Sequence, residues 1–334
     1  MSPTFSLSRS LSSLLKNLHG HPTFLFFSSF STITTTTTDN SNSEIPSRPS
    51  PPPIQVSFTE SAGRGVFATR RVGAGDLIHT AKPLISHPSI SLLSSTVCYF
   101  CLRKLNSGIQ VPSQYQTVHF CSDECIQESK AFYEIEKRVD WSAYNEHCSE
   151  IVKLCGFLHL FKGCLGAASA DSLDILQPAR LIRQMILEME EEFGLLKNTL
   201  MKAGLEEEQI EFLTKQWYTG VLARIRINAF RIELVGGSYE DLLLSAAASV
   251  EAEAAVGNAV YMLPSFYNHD CDPNVHILWI ENVNARLKAL RDIEPGEELR
   301  ICYIDASMDH CARQTLLFEG FGFHCNCPRC VSGD

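Results

Sequence analysis

The sequence predicts an α+β protein, with short strands at the two ends of a folded region and helices in its middle. Three observations carry this. Residues 54–87 and 298–303 hold short apolar–polar alternations beside glycine turns, the two-residue period of strands. Residues 127–250 instead place apolar side chains three and four apart, the helical period. Thirteen cysteines include two short-spaced groups suited to metal. At 334 residues, 45% of them apolar and 20% charged, the chain has the make-up of a globular protein with a core to bury, as one large domain or two small ones. Its formal charge of −10 argues against a direct grip on nucleic-acid phosphates and favours a basic partner.

Residues 1–38 contain no Asp or Glu, carry Arg9 and Lys16 among many Ser and Thr, and end in the run Thr34 to Thr38. That composition resembles an organelle transit peptide, so a mitochondrion or chloroplast is expected, with the nucleus as the alternative. The apolar run Phe24 to Phe27 is too short to span a bilayer, and no membrane association is expected. Pro46, Pro49 and Pro51 to Pro53 mark a linker, and folding is expected to begin near Ile54.

Ile54 to Phe58 alternates as a strand, Gly63-Arg64-Gly65 turns, and Asp76 to His79 reads as another strand. No long helix follows the Gly-x-Gly, which excludes a Rossmann loop. Cys98-x2-Cys101 and Cys121-x3-Cys125 then follow about twenty residues apart. That spacing suits one tetrahedral zinc held by four thiolates. Farther on, Ile151, Leu154, Cys155, Leu158 and Phe161 step helically, as do Leu181, Met185 and Met189. Glu188, Glu190, Glu191 and Glu192, and later Glu206 to Glu208, make acidic faces, most simply solvated ones.

Near the C-terminus, Asn268-His269-Asp270-Cys271-Asp272-Pro273-Asn274 places an amide, an imidazole and a thiol before a proline that excludes helix. Gly296-Glu297-Glu298 leads into Leu299, Ile301 and Tyr303, which share one face of a predicted strand. A phenol turned inward there needs a polar partner. Cys325-x-Cys327-x2-Cys330 supplies three zinc ligands, and a structural site needs a fourth. Cys271, His324, Cys302 and Cys311 are the candidates.

These residues together resemble the SET-domain lysine methyltransferases. Asn-His-x-Cys-x-Pro-Asn, Gly-Glu-Glu-Leu-x-x-x-Tyr, the opening Gly63 to Ala68 loop and the closing Phe323 to Cys330 segment stand in that family's order, covering about 54–97 and 251–330. The Phe-Cys-Ser-x-x-Cys stretch resembles half of a MYND finger, so the chain is most similar to the SET-and-MYND and plant trithorax-related types. The resemblance implies a SET fold of small sheets with a knot-like C-terminal core, interrupted by a small zinc finger and a helical insert, and closed by a cysteine-rich post-SET segment. The implied divisions are 1–53, leader and linker; 54–97, first SET part; 98–135, partial finger; 136–250, insert; 251–305, SET core; 306–334, post-SET.

It further implies the cofactor S-adenosylmethionine (SAM), bound by Arg64, Gly65, Asn228, Ser265, Asn268, His269, Phe321 and Phe323, with the two phenylalanines stacked on adenine. Phe230 would line the lysine channel and Tyr303 would orient the target amine. One zinc is expected at Cys98, Cys101, Cys121 and Cys125. A second is expected at Cys325, Cys327 and Cys330, with Cys271 as the family's fourth ligand. His147-Cys148 lies too far on for a second finger zinc. Asp270 stands where the family more often has Ser, and Ala62 where it has a basic residue, leaving the cofactor carboxylate to Arg64. The implied substrate is a lysine-containing protein or histone tail; an organelle protein is an alternative, as is a catalytically silent scaffold.

Overall fold

The computed structural model describes residues 51–89, 97–115, 117–147, 172–235 and 255–334. The leader and most of the linker, the periodic run Ile151 to Phe161, and Cys148 and Cys164 lie outside them.

The described chain starts its first strand at Ile54, as expected. β1 (Ile54–Phe58) pairs antiparallel with β2 (Arg64–Ala68), Val56 opposite Val66. Gly63 makes the reversal at φ 76°, a left-handed conformation that glycine adopts without steric cost. β2 also pairs with β12 (Glu298–Ile301), and β12 pairs in parallel with β9 (Asn268–His269), Ile301 opposite His269. The sheet order β1-β2-β12-β9 therefore joins segments more than two hundred residues apart in sequence.

Two three-stranded sheets flank it. One runs β10 (Val275–Leu278), β11 (Ala285–Ala289), β3 (Leu77–Ala81); the other runs β4 (Ile85–Pro88), β8 (Gly257–Val260), β7 (Ala229–Ile232). Along β11, Ala285, Leu287 and Ala289 are buried while Arg286 and Lys288 are not, the alternation that sets its inner face. The inner faces meet in a core that includes Val66, Tyr261, Tyr267, Leu287, Leu299 and Ile301. Each fully buried aliphatic side chain there contributes roughly 1.5–3 kcal/mol of transfer free energy. Gly257 is required by packing: a Cβ on it would lie 2.2 Å from the His87 carbonyl oxygen.

Between the first two cysteine pairs the chain forms a hairpin absent from the sequence expectation, β5 (Ile109–Pro112) with β6 (Thr117–Phe120). Helix α1 (Asp123–Glu136) follows, its N-cap Ser122 accepting from the Cys125 amide at 3.4 Å. Tyr99, Val118, Phe120 and Tyr133 form the finger's own small core.

The insert contains α2 (Ser142–His147), α3 (Arg183–Lys202) and α4 (Lys215–Asn228). Met185, Met189, Leu196 and Leu200 of α3 pack with Tyr218, Leu222 and Ile225 of α4, matching the helical reading of Met185 and Met189. The helical reading is broken by a strand at 229–232, and its part from 236 to 250 lies outside the described residues. The chain leaves α4 at Asn228 and enters β7 directly, because Ala229–Ile232 completes a ladder with β8. Helix α5 (His310–Phe321) is capped by the Asp309 carboxylate at its start and by Gly322 at φ 81° at its end. The short α6 (Pro328–Val331) carries Cys330.

One correction bears on the site. β12 stops at Ile301, so Tyr303 lies past the strand rather than on it. The Tyr303 amide donates to the His269 ring at 3.1 Å instead of to a neighbouring strand, which ends the ladder there.

Candidate active site and cysteine clusters

The junction of β2, β12 and β9 gathers the motif residues. The Asn268 amide Nδ2 donates to the Arg64 carbonyl at 3.1 Å and to Glu298 Oε1 at 2.7 Å, tying the three strands together. Gly65 is buried beneath this contact. A Cβ there would meet Glu298 Oε1 at 2.7 Å and Asn268 Nδ2 at 3.1 Å, so a side chain at this position would push that contact aside.

Tyr303 donates its hydroxyl to the Tyr267 carbonyl at 2.6 Å, the polar partner that the sequence required. Burial raises its pKa, and the phenol stays protonated. Around it stand Phe321 at 4.9 Å, His269 at 5.2 Å and Phe323 at 6.5 Å between ring centroids, an aromatic group with Tyr303, Phe321 and Phe323 only partly covered. A flat heteroaromatic ring has faces to stack on here.

His269 is buried, with both ring nitrogens engaged: Nδ1 accepts from the Tyr303 amide and Nε2 lies 3.3 Å from Cys271 Sγ. Burial lowers its pKa to about 4; Asp270 pulls the other way, while Arg313 and Arg300 add to the fall. Its ring is therefore neutral near pH 7. The Asp270 carboxylate is answered locally, pairing with Arg300 at 3.3 Å, and Arg300 also binds Glu298 at 2.5 Å.

The other expected residues are placed as follows. Arg64 donates to the Ile175 carbonyl, and its guanidinium lies 4.6 Å over the Phe266 ring. Ser265 donates to the Tyr261 carbonyl at 2.6 Å. Asn228 spends its amide hydrogens on the Gln177 and Arg224 carbonyls. Phe230 packs edge-on to Tyr261 and near Trp279, half-buried on the same core that Tyr303 touches. Asn268, His269, Gly65, Tyr303, Phe321 and Phe323 thus form one group, while the side chains of Asn228, Ser265 and Arg64 hold neighbouring backbone.

Two tetracysteine clusters stand among the described residues: Cys98, Cys101, Cys121 and Cys125; and Cys271, Cys325, Cys327 and Cys330. In each, the four sulfurs lie within 4.8 Å of one another. Recorded sulfur separations are 3.5–3.6 Å in the first and 3.5–3.9 Å in the second. Tetrahedral zinc with bonds of about 2.3 Å sets its sulfurs about 3.8 Å apart, whereas a disulfide needs about 2.0 Å. Both clusters fit zinc, with every ligand position closed. Cys271 is the fourth member of the second cluster. Of its rivals, His324 stacks on Phe318 at 4.6 Å, Cys302 donates to the Ile304 carbonyl and Cys311 is exposed.

Several contributors escaped the sequence reading. Glu298, part of the Gly-Glu-Glu-Leu motif, and Arg300 carried no expected role, yet they brace Asn268 and Asp270. Gln314 grips Cys325 through both its amide and carbonyl, at 2.7 and 3.0 Å. Arg313 is fully buried beside the second cluster, its guanidinium 3.9 Å from Cys330 Sγ and also donating to the Asp334 carbonyl. An arginine on a helix four residues past the N-cap gives no sequence sign of such burial.

The fold and site define an α+β protein with two cysteine clusters that fit zinc and an aromatic group gathered at a strand junction. The SET domain family profile matches residues 63–304, and the chain belongs to the SET-domain family. Among similar proteins, the histone-lysine N-methyltransferase ATXR4 of Arabidopsis thaliana is 58% identical over 293 residues, covering 85% of this chain and 88% of that one. A SET and MYND domain-containing protein of Dictyostelium discoideum is 26% identical over 77% of each chain. Mouse histone-lysine N-methyltransferase SMYD3 is 26% identical over 83% of this chain and 61% of its own length.

Proposed function

We propose that this chain is a SAM-dependent protein-lysine N-methyltransferase whose leading substrate class is the histone tail. The observation that carries the reading is the 58% identity to a histone-lysine N-methyltransferase across nearly the whole length of both chains. The gathering of Asn268, His269 and Tyr303 at one strand junction supports it, since a scaffold protein has no need of that arrangement.

SAM supplies a methyl group on a positive sulfonium, and transfer to the lysine nitrogen breaks the methyl–sulfur bond. The chain's residues supply binding and geometry. Phe321 and Phe323 offer stacking faces, and the Asn268–His269 backbone lines the same junction. Tyr303, protonated and aimed by the Tyr267 carbonyl, places a fixed hydroxyl among these rings. It orients the target amine in line with the methyl, the near-attack arrangement in which positioning counts most. A free lysine has a pKa of about 10.4 and must lose its proton before attack. The apolar walls formed by Phe230 and the aromatic group disfavour the ammonium by desolvation, as does a nearby sulfonium. No carboxylate base is required if water takes that proton.

A non-histone protein of a mitochondrion or chloroplast is the second reading, favoured by the acid-free, Ser/Thr-rich residues 1–38. Among the described residues, no helix is long and apolar enough to cross a membrane. The deciding experiment incubates the purified chain and labelled SAM with an array of lysine peptides, histone and organelle-derived, and reads them by mass spectrometry. A gain of methyl mass on lysine is expected; no transfer to any peptide or protein substrate rejects the enzyme reading.

A further inference from the structure

We infer that His269 is a positioning residue through which the C-terminal zinc cluster holds Tyr303 in place. The inference rests on the methyltransferase reading for the value of Tyr303, but its geometry stands apart from that reading. β9 and β12 run parallel with Ile301 opposite His269, so Tyr303, two residues on, arrives over the imidazole. A backbone N–H can only donate; the 3.1 Å contact from the Tyr303 amide therefore fixes Nδ1 as an acceptor. In a neutral imidazole the proton must then sit on Nε2, which faces Cys271 Sγ at 3.3 Å. The sulfur is the acceptor.

A metal-bound thiolate accepts well and a free thiol poorly, so zinc in the Cys271, Cys325, Cys327 and Cys330 cluster strengthens this bond and locks the ring. The ring in turn holds the Tyr303 amide, and the phenol at the end of that residue is held by the Tyr267 carbonyl. One side chain, the His269 imidazole, stands between the Cys271 sulfur and the Tyr303 amide. Arg313 provides the contrast. It touches the same cluster through both Cys330 and Cys271, and its other side-chain bonds go to the Met308 and Asp334 carbonyls.

The test begins with the unaltered zinc-loaded chain, labelled with 15N-histidine, and long-range proton–nitrogen NMR correlation. His269 is expected as the Nε2–H tautomer; the Nδ1–H tautomer overturns the inference without recourse to any variant. His269→Phe and Arg313→Gln are then compared. Both are expected to release zinc to a chelator faster, by about 10–100-fold, the usual effect of removing a partner that braces a metal ligand. At matched zinc content His269→Phe should show the larger fall in kcat, with KM for SAM less changed. Equal kcat losses in the two variants, or zinc release from His269→Phe at the parent rate, overturn the proposal. Failure of the catalytic reading itself would show differently, as a Tyr303→Phe variant with full turnover while the tautomer and zinc-release results stand.

Discussion

Tyr303 and Asn268 separate two jobs at a single junction. Tyr303→Phe keeps the ring against Phe321 and removes only the hydroxyl bound to the Tyr267 carbonyl. Loss of an interaction made chiefly in the transition state lowers turnover without weakening ground-state binding. The expected fall in kcat is on the order of tenfold to a thousandfold, with SAM affinity by calorimetry near that of the parent. Asn268→Ala cuts the tie between β2 and β12 and is expected to weaken SAM binding instead. Equal loss of SAM affinity in both variants would refute the division. Elsewhere a carboxyl group reports on the insert. Burial on α3, with Glu188 adding repulsion and Arg226 opposing it, pushes Glu192 up to about 7. A folded-state pKa above the unfolded value of about 4.3 means that the folded chain binds more protons between the two. Stability is thus expected to fall as pH rises from about 4.5 to 7. Glu192→Gln should flatten the Tm profile over that window, and an unchanged slope would contradict the assignment.

The two zinc clusters are alike in chemistry and unlike in placement. The finger cluster is set between the β5–β6 hairpin and the start of α1, around its own aromatic core. The C-terminal cluster joins the Asn-His stretch to the last two helices, with Cys271 beside His269. Metal analysis of protein purified without chelator is expected to find two zincs per chain; less than one would sink the assignment. Replacement of Cys327 should weaken SAM binding more than replacement of Cys101, because only the former disturbs the elements carrying Tyr303, Phe321 and Phe323. The acidic stretches of the insert are solvated apart from half-buried Glu192: Glu190 pairs with Lys215, and Glu207 with Lys197. Exposed pairs of this kind contribute about 0–1 kcal/mol each.

For the whole molecule, a net charge of −10 suits recognition of a basic tail, through steering rather than a single contact. We propose that residues 1–38 direct the chain to a mitochondrion or plastid. A fluorescent fusion of residues 1–55 is expected to concentrate in one of these; a diffuse or purely nuclear signal would reject the address. If the address holds, the substrate screen must include proteins of that compartment as well as histones.

Short-range chemistry determined what could be read from the chain alone. Cysteine spacing announced the finger set and three members of the C-terminal set, since a tetrahedral ion draws ligands from close pairs; Cys271, more than fifty residues away, followed only from the family resemblance. The motifs carrying Asn268, His269 and Tyr303 matched the family by their order, whereas their chemistry alone indicated only a buried polar position beside a cysteine. Hydrophobic period placed Met185 and Met189 in a helix and Ile54 to Phe58 in a strand. Only the tertiary structure decided which pieces met. β12 lies between β2 and β9, a pairing across more than two hundred residues that no local pattern encodes. That pairing made Glu298 and Arg300 braces for Asn268 and Asp270. The same long-range packing ended β12 at Ile301, handed the Tyr303 amide to His269, and buried Arg313 against the cysteines. A sequence specifies its periods and ligands residue by residue, but a hydrogen bond between distant strands exists only once the core has brought them together.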